Sequence, residues 1–207
     1  MFAAVGLGTN AYFSDTEAST NNVFSVGTLD LKLTDSNETD QDGVTASFGG
    51  TGLKPGSSVG PATVTVKNSG SLTADHVDIK FQSAVTDNAT YNEADLGANI
   101  TDMSTVLGVS ALSYGATNLL QQTVPGTFDN ASIEAADNAG NNDGALTMNE
   151  LGSVTLQSLA APAASGGTIV FSITVGIATS VGNGIQGDQV NVTVTFGLYQ
   201  DASQHIS

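Results

Sequence analysis

Two-residue alternation of apolar and polar side chains is the feature of this 207-residue sequence that most constrains its fold. Successive side chains of a β-strand point to opposite faces, so this alternation predicts strands with one buried and one solvated face. The apolar positions are filled largely by β-branched, leucine and aromatic residues, which pack well on a pleated surface. The clearest segments place on one face Leu29, Leu31 and Leu33; Val77, Ile79 and Phe81; Ile169, Phe171, Ile173, Val175 and Ile177; and Val190, Val192, Val194, Phe196 and Leu198.

Turn-forming residues separate these predicted strands. Residues 54–56 read Lys-Pro-Gly and residues 68–70 read Asn-Ser-Gly, both of which are typical of tight turns. Several antiparallel strands that each carry one solvated face are expected to pack as two sheets, face to face. The sequence therefore predicts an all-β sandwich.

The middle of the chain, about 83–150, has a different composition. It is rich in Asp, Asn, Ala and Thr, and its alternation is weak. We expect long loops and short elements that decorate the sandwich, without a second core. One or two helical turns are predicted between Thr101 and Leu107, with Thr101 or Asp102 near the N-cap.

Net charge and composition exclude several classes of partner. Four lysines, no arginine and 20 acidic residues give a formal charge of −16, which repels nucleic acid and anionic lipid and attracts divalent cations. No run of about 18 apolar residues is present, so no membrane span is predicted. The chain has no cysteine, and at this length it can bury a core without disulfides.

Within the N-terminal arm, residues 1–13, the stretch from 3 to 13 also alternates as a strand does. Such an arm can add to the open edge of a sheet in another molecule, where backbone hydrogen bonds give affinity and alternate side chains fill a groove. A head-to-tail contact of this kind does not close on itself and builds a fibre. The alternatives are an ordinary first strand or the remainder of a secretory signal. The candidate groove-filling residues are Ala3, Val5, Leu7, Thr9, Ala11 and Phe13.

Five segments occur together and in order: 11–20 (AYFSDTEAST), 24–33 (FSVGTLDLKL), 53–59 (LKPGSSV), 66–72 (VKNSGSL) and 186–196 (QGDQVNVTVTF). This set resembles the TasA/camelysin family of secreted biofilm-fibre proteins, whose archaeal relatives include the bundling pilins. The resemblance implies secretion, a single jelly-roll domain over 14–207 and filaments held by donor-strand exchange through the arm. It also favours an archaeal source.

These features together predict a structural subunit of an extracellular, cell-surface filament, such as a pilus or biofilm-matrix fibre, that serves adhesion or cell–cell bridging. The partner is a second copy of the chain, and no enzyme activity or catalytic residue is expected. One alternative is a secreted metallopeptidase, the activity described for camelysin. However, the sequence offers only His76, expected on the solvated face of a strand, and His205, near the C-terminus. A zinc peptidase typically places two histidines at i and i+4 on a helix. Another alternative is a monomeric calcium-binding adhesion or carbohydrate-binding module.

Residues 137–150 read DNAGNNDGALTMNE, and the second half of this stretch resembles an EF-hand-type calcium loop. Calcium takes six to eight oxygen ligands, with a sharp turn at a glycine and a bidentate carboxylate at the last position. Ala139 stands at the first ligand position and cannot coordinate through its side chain, so Asp137 is the candidate substitute. The alternative is an Asn/Gly turn with scattered acids. The candidate ligands are Asp137, Asn141, Asp143, the carbonyl of Ala145, and Glu150.

Five Asn-x-Ser/Thr sequons are candidate glycosylation sites. Chains rich in Ser, Thr and Asn also produce such tripeptides by chance. Their use would require export of the chain. The asparagines are Asn37, Asn88, Asn99, Asn130 and Asn191.

Overall fold

The computed structural model describes residues 26–43, 53–87, 100–182, 184–185 and 187–206. The predicted arm at 1–13 and the sequons at Asn88 and Asn99 lie outside these ranges. Within them, the chain forms strands, two short α-helices and a 3₁₀ turn. The elements are β1 (Leu31–Thr34), β2 (Ser58–Asn68), β3 (His76–Thr86), the 3₁₀ turn (Met103–Thr105), β4 (Leu107–Tyr114), β5 (Thr117–Asn118), α1 (Ala131–Ala139), α2 (Met148–Leu151), β6 (Thr155–Ala160), β7 (Gly167–Ile177) and β8 (Gln189–Tyr199).

The strands form two antiparallel sheets, which confirms the predicted all-β sandwich. One sheet has the order β1-β2-β7-β4-β5 and the other has the order β6-β3-β8. All pairings between neighbouring strands are antiparallel. Strand β7 is therefore the centre of the larger sheet, and β3 is the centre of the smaller one.

The core lies between β3 and β7, where the predicted alternation is confirmed. Val77, Ile79 and Phe81 of β3 are completely buried. Phe171 and Ile173 of β7 are each only 1% exposed. The Phe81 and Phe171 rings have centroids 6.0 Å apart, so aromatic contact joins the two sheets at their centres.

Both predicted turns form. The Lys54 carbonyl accepts a hydrogen bond of 2.8 Å from the Ser57 amide, and Gly56 between them has a φ of 84°, which side chains disfavour. At the second turn, the Asn68 side chain accepts from the Gly70 amide at 3.1 Å. A Cβ atom at Gly70 would overlap the Thr28 carbonyl.

The middle region differs from the expected loops. Strand β4 lies within it, pairs with β7, and contributes Leu107, Val109, Leu112 and Tyr114 to the core. The register shifts between Val109 and Ala111. This bulge moves the buried side chains from odd to even positions, which explains why the sequence shows no continuous alternation. The helical turn is confirmed, and the Asp102 side chain caps it by accepting from the Ser104 amide at 2.9 Å.

Adjacent residues of β7 provide a test of the sandwich. Replacing Phe171 by Ala removes a ring that lies between the sheets, and we expect the free energy of unfolding to fall by about 3–5 kcal/mol. Val170 lies on the opposite face and is 45% exposed. Replacing it by Ala should lower the free energy of unfolding by less than about 1 kcal/mol. Urea denaturation of the two variants measures the difference, and equal losses would contradict the described orientation of β7.

Candidate functional site

The smaller sheet ends at strand β8, which forms one of its two edges among the described residues. Strand β8 pairs with β3 along its whole length of 11 residues. On its other side, β8 has no strand neighbour among the described residues. A strand edge in this position presents unpaired backbone N–H and C=O groups, which are a template for a further strand.

Burial changes sharply across the pair of strands β3 and β8. Ile79 and Phe81 are completely buried, whereas their direct neighbours on β8, Phe196 and Val194, are only half-buried. The core side of β8 therefore retains exposed apolar surface along the open edge. The half-buried apolar residues on this side are Val190, Val192, Val194, Phe196 and Leu198.

The larger sheet has a second stretch of open edge. Strand β1 has only four residues and pairs with Thr65–Asn68 of β2. The preceding part of β2, from Ser58 to Val64, has no partner on that side among the described residues. Its apolar side chains Val59, Ala62 and Val64 are half-buried, like those of β8.

The predicted calcium loop lies between α1 and α2 and contains two buried carboxylates. Asp137, in the last turn of α1, is completely buried; its Oδ2 accepts from the Gly144 amide at 3.2 Å. Its Oδ1 has no hydrogen-bond partner within the described chain. Burial raises the pKa of Asp137. Hydrogen bonds from the backbone of Gly144 and Asp143 lower this pKa, whereas the negative charges of Glu150 and Asp143 raise it further.

Glu150 is the third residue of α2 and does not stand free in the loop. Its Oε2 accepts from the Thr147 amide at 2.8 Å and from the Thr147 hydroxyl at 2.9 Å, which completes a capping box. Its Oε1 accepts from the Asn141 amide at 3.3 Å. The Thr-x-x-Glu spacing in the sequence signals this cap, which the sequence analysis did not use.

The remaining candidate ligands lie in the same turn. Asp143 accepts from the Asn141 side-chain amide and from the Ala145 backbone amide, both at 2.9 Å. The loop thus places the predicted ligands in one turn, but the carboxylate oxygens of Asp137, Asp143 and Glu150 do not all come within 4.8 Å of one another, and Asp143 and Glu150 are engaged by N–H groups. Calcium binding remains a prediction, supported by the unpartnered Oδ1 atom of Asp137.

The three described sequon asparagines have different settings. Asn37 and Asn191 are exposed, the first in the turn after β1 and the second on the outer face of β8. Asn130 is half-buried and caps α1, since its side-chain oxygen accepts from the Ser132 and Ile133 amides. Glycosylation at these positions remains a prediction.

The prediction that His76 lies on a solvated face of its strand is wrong. Residues 200–206 follow β8 and fold back over the outer face of β3, so the His76 side chain is only 3% exposed. Its Nε2 lies 2.9 Å from the Gln204 carbonyl oxygen, and its ring stacks on Tyr199 with centroids 5.3 Å apart. His205, at the end of this segment, is 31% exposed.

Asp78 links these two histidines and is a residue that the sequence analysis missed. Its side chain is completely buried, and its two oxygens lie 3.4 Å from His76 Nε2 and 2.9 Å from His205 Nδ1. The amides of Ser158 and Ile206 donate to it at 3.1 and 3.2 Å. Alternation alone placed Asp78 on a solvated face, and nothing in the local sequence indicates that the C-terminal residues cover it.

Comparison with known protein families shows which family the chain belongs to. A family model described as "Camelysin metallo-endopeptidase" matches residues 2–117. The chain belongs to the camelysin family. The TasA/camelysin resemblance drawn from the five segments is thereby confirmed, whereas a search of curated proteins gave no match.

Camelysin family members are secreted or surface-associated, so the match supports a secreted protein. None of the helices in the described ranges is long and apolar enough to cross a membrane. Residues 118–207, which include β6 to β8 and His205, lie beyond the matched part of the chain.

The calcium prediction can be tested by the thermal midpoint of unfolding. Calcium should raise the midpoint of the unmodified chain, because a cation offsets the clustered charge around Asp137 and binds only the folded loop. An Asp137→Asn variant should lose most of this rise. Asp129→Asn, which removes an acid that accepts hydrogen bonds from Thr123 outside the loop, is the matched control. Equal calcium responses in both variants would refute the site.

Proposed function

We propose that this chain is the structural subunit of an extracellular filament that polymerises by donor-strand complementation. The observation that carries the proposal is the edge of β8, which has a half-buried apolar face and no further strand partner among the described residues. The N-terminal arm of a second copy is the proposed occupant, since it alternates apolar and small or polar residues over 3–13. This stretch and β8 both contain 11 residues.

The expected energetics favour a stable contact. Each apolar side chain that leaves water contributes roughly 1.5–3 kcal/mol, and each backbone hydrogen bond adds about 0.5–1.5 kcal/mol. The cost of ordering the arm and of association offsets part of this gain. Several apolar side chains, among them Val5, Leu7 and Phe13, are available for the contact.

The proposed role is structural rather than enzymatic. A catalytic zinc site keeps one coordination position open to water and substrate. The described cluster of His76, Asp78 and His205 is covered by the C-terminal segment, and two of its three side chains are at most 3% exposed. This closure supports a non-catalytic role, although the family name includes a peptidase activity.

The negative charge of the chain suits the surface of an adhesive fibre. A formal charge of −16 keeps subunits soluble before assembly, and it gives the fibre a surface that divalent cations can bridge. We propose adhesion or cell–cell bridging as the use of the fibre, as a pilus or as part of a biofilm matrix.

Removal of the arm tests polymerisation. A chain that lacks residues 1–13 should remain a folded monomer and form no filaments in negative-stain electron microscopy. A synthetic peptide of residues 1–13 should bind this monomer with one peptide per chain. Leu7→Asp in the peptide should weaken binding at least about tenfold, because it puts a charge among the apolar side chains. Asn10→Asp, on the opposite side of the arm, is the matched control.

The acceptor edge is tested on the full chain. Val192→Lys places a charge on the core side of β8, whereas Asn191→Lys places the same charge on the exposed outer face. We expect the first variant to abolish filaments and the second to preserve them. Normal filaments from Val192→Lys, or from the chain without its arm, would contradict the proposal.

A further inference from the structure

The cluster on the outer face of β3 has the composition of a metal site. His76, Asp78 and His205 each present one ligand atom, and these atoms all lie within 4.8 Å of one another. In a tetrahedral zinc site with bonds of about 2.0–2.2 Å, neighbouring ligand atoms are about 3.3 Å apart. Asp78 Oδ1 lies 3.4 Å from His76 Nε2, and Asp78 Oδ2 lies 2.9 Å from His205 Nδ1, so the carboxylate stands between the two rings and faces each of them at a distance near this value.

We propose that these three residues bind one divalent transition-metal ion of the zinc class, which fastens the C-terminal segment to the sheet. Two imidazoles and one carboxylate suit zinc and its neighbours in the first transition row. Calcium and magnesium prefer oxygen ligands throughout, so this site differs in kind from the loop at 137–150.

The surroundings of the three ligands support metal binding. The Nδ1 atom of His76 lies 3.0 Å from the Asp75 carboxylate, which leaves Nε2 as the atom directed at Asp78. A carboxylate behind a histidine in this way fixes the ring and its tautomer at metal sites. The Ser158 and Ile206 amides orient the Asp78 carboxylate from two sides.

A bound ion would replace the contacts between Asp78 and the two histidines. The Gln204 carbonyl oxygen, 2.9 Å from His76 Nε2, is a candidate fourth ligand. Because His205 and Asp78 are 127 residues apart in sequence, the ion would cross-link the end of the chain to β3. Closed coordination of this kind is typical of structural rather than catalytic zinc.

Metal binding at His205 would also fix the chain at the end of β8. Tyr199 is the last residue of β8, and its ring stacks on His76. Fixing His205 therefore holds the segment that begins at the end of β8. The site is a property of the folded chain and does not depend on whether the chain polymerises.

Zinc alone, added to the full chain after chelation and dialysis, is the probe. Isothermal titration should give one zinc per chain, with a rise in the thermal midpoint that increases with zinc concentration. Cobalt in place of zinc should give the visible absorption bands of a tetrahedral ion. His205→Gln should lose stoichiometric zinc binding and the cobalt bands, while Asp129→Asn, which removes an acid that accepts hydrogen bonds from Thr123 outside both candidate metal sites, should keep both.

A variant that weakens zinc binding without removing a ligand distinguishes a loss of the site from misfolding. Asp75→Asn keeps all three ligands and alters only the group behind His76, so we expect zinc affinity to fall about 10–100-fold. Zinc binding that is unchanged in His205→Gln, or failure of the unmodified chain to bind zinc at about 100 µM, would overturn the proposal. Cobalt bound without tetrahedral bands would do so as well.

Discussion

The packing of β3 against β7 is the interaction on which the rest of the molecule depends. The ring centroid of Phe171 lies 6.0 Å from that of Phe81 and 5.5 Å from that of Phe196. One ring therefore connects the larger sheet to two strands of the smaller sheet. With the inner face of β3 held in this contact, its alternate residues must point outward. This is why His76 and Asp78 lie together beneath the C-terminal segment, whereas the half-buried apolar side chains of β8 lie on the core side, beside Val77, Ile79 and Phe81.

The two sides of the smaller sheet are completed differently. Its outer face near His76 is covered by the chain itself, through polar contacts that converge on the buried Asp78. Its edge at β8 has no strand partner among the described residues, and the apolar surface there is only half-buried. Apolar surface along an open edge favours the addition of a strand, whereas a buried carboxylate between two histidines favours a cation. The same sheet thus offers one surface suited to polymerisation and one suited to metal binding.

The sequence predicts those parts of the fold that depend on local alternation and turn chemistry. The strands at Val77–Phe81 and Ile169–Ile177, and the turn at Gly56, follow from residue type and spacing alone. Strand β4 does not, because the bulge after Val109 shifts the phase of its buried residues. The cluster around Asp78 could not be predicted either, since it joins residues separated by 127 positions through a segment with no strand pattern. The capping role of Glu150 could have been found, because Thr147 and Glu150 have the spacing of a capping box.

The central claim is that the arm of one subunit occupies the β8 edge of the next, and a disulfide tests it most directly. The chain has no cysteine, so a variant with one cysteine in the arm, Leu7→Cys, and one on the edge, Val192→Cys, reports a single contact. Equivalent variants at Val190 and Val194 allow for the register of the added strand. Under oxidising conditions, the account predicts a ladder of covalent multimers in denaturing, non-reducing electrophoresis from at least one of these pairs. Covalently closed monomers from every pair would show that the arm pairs within its own chain, and would contradict the account.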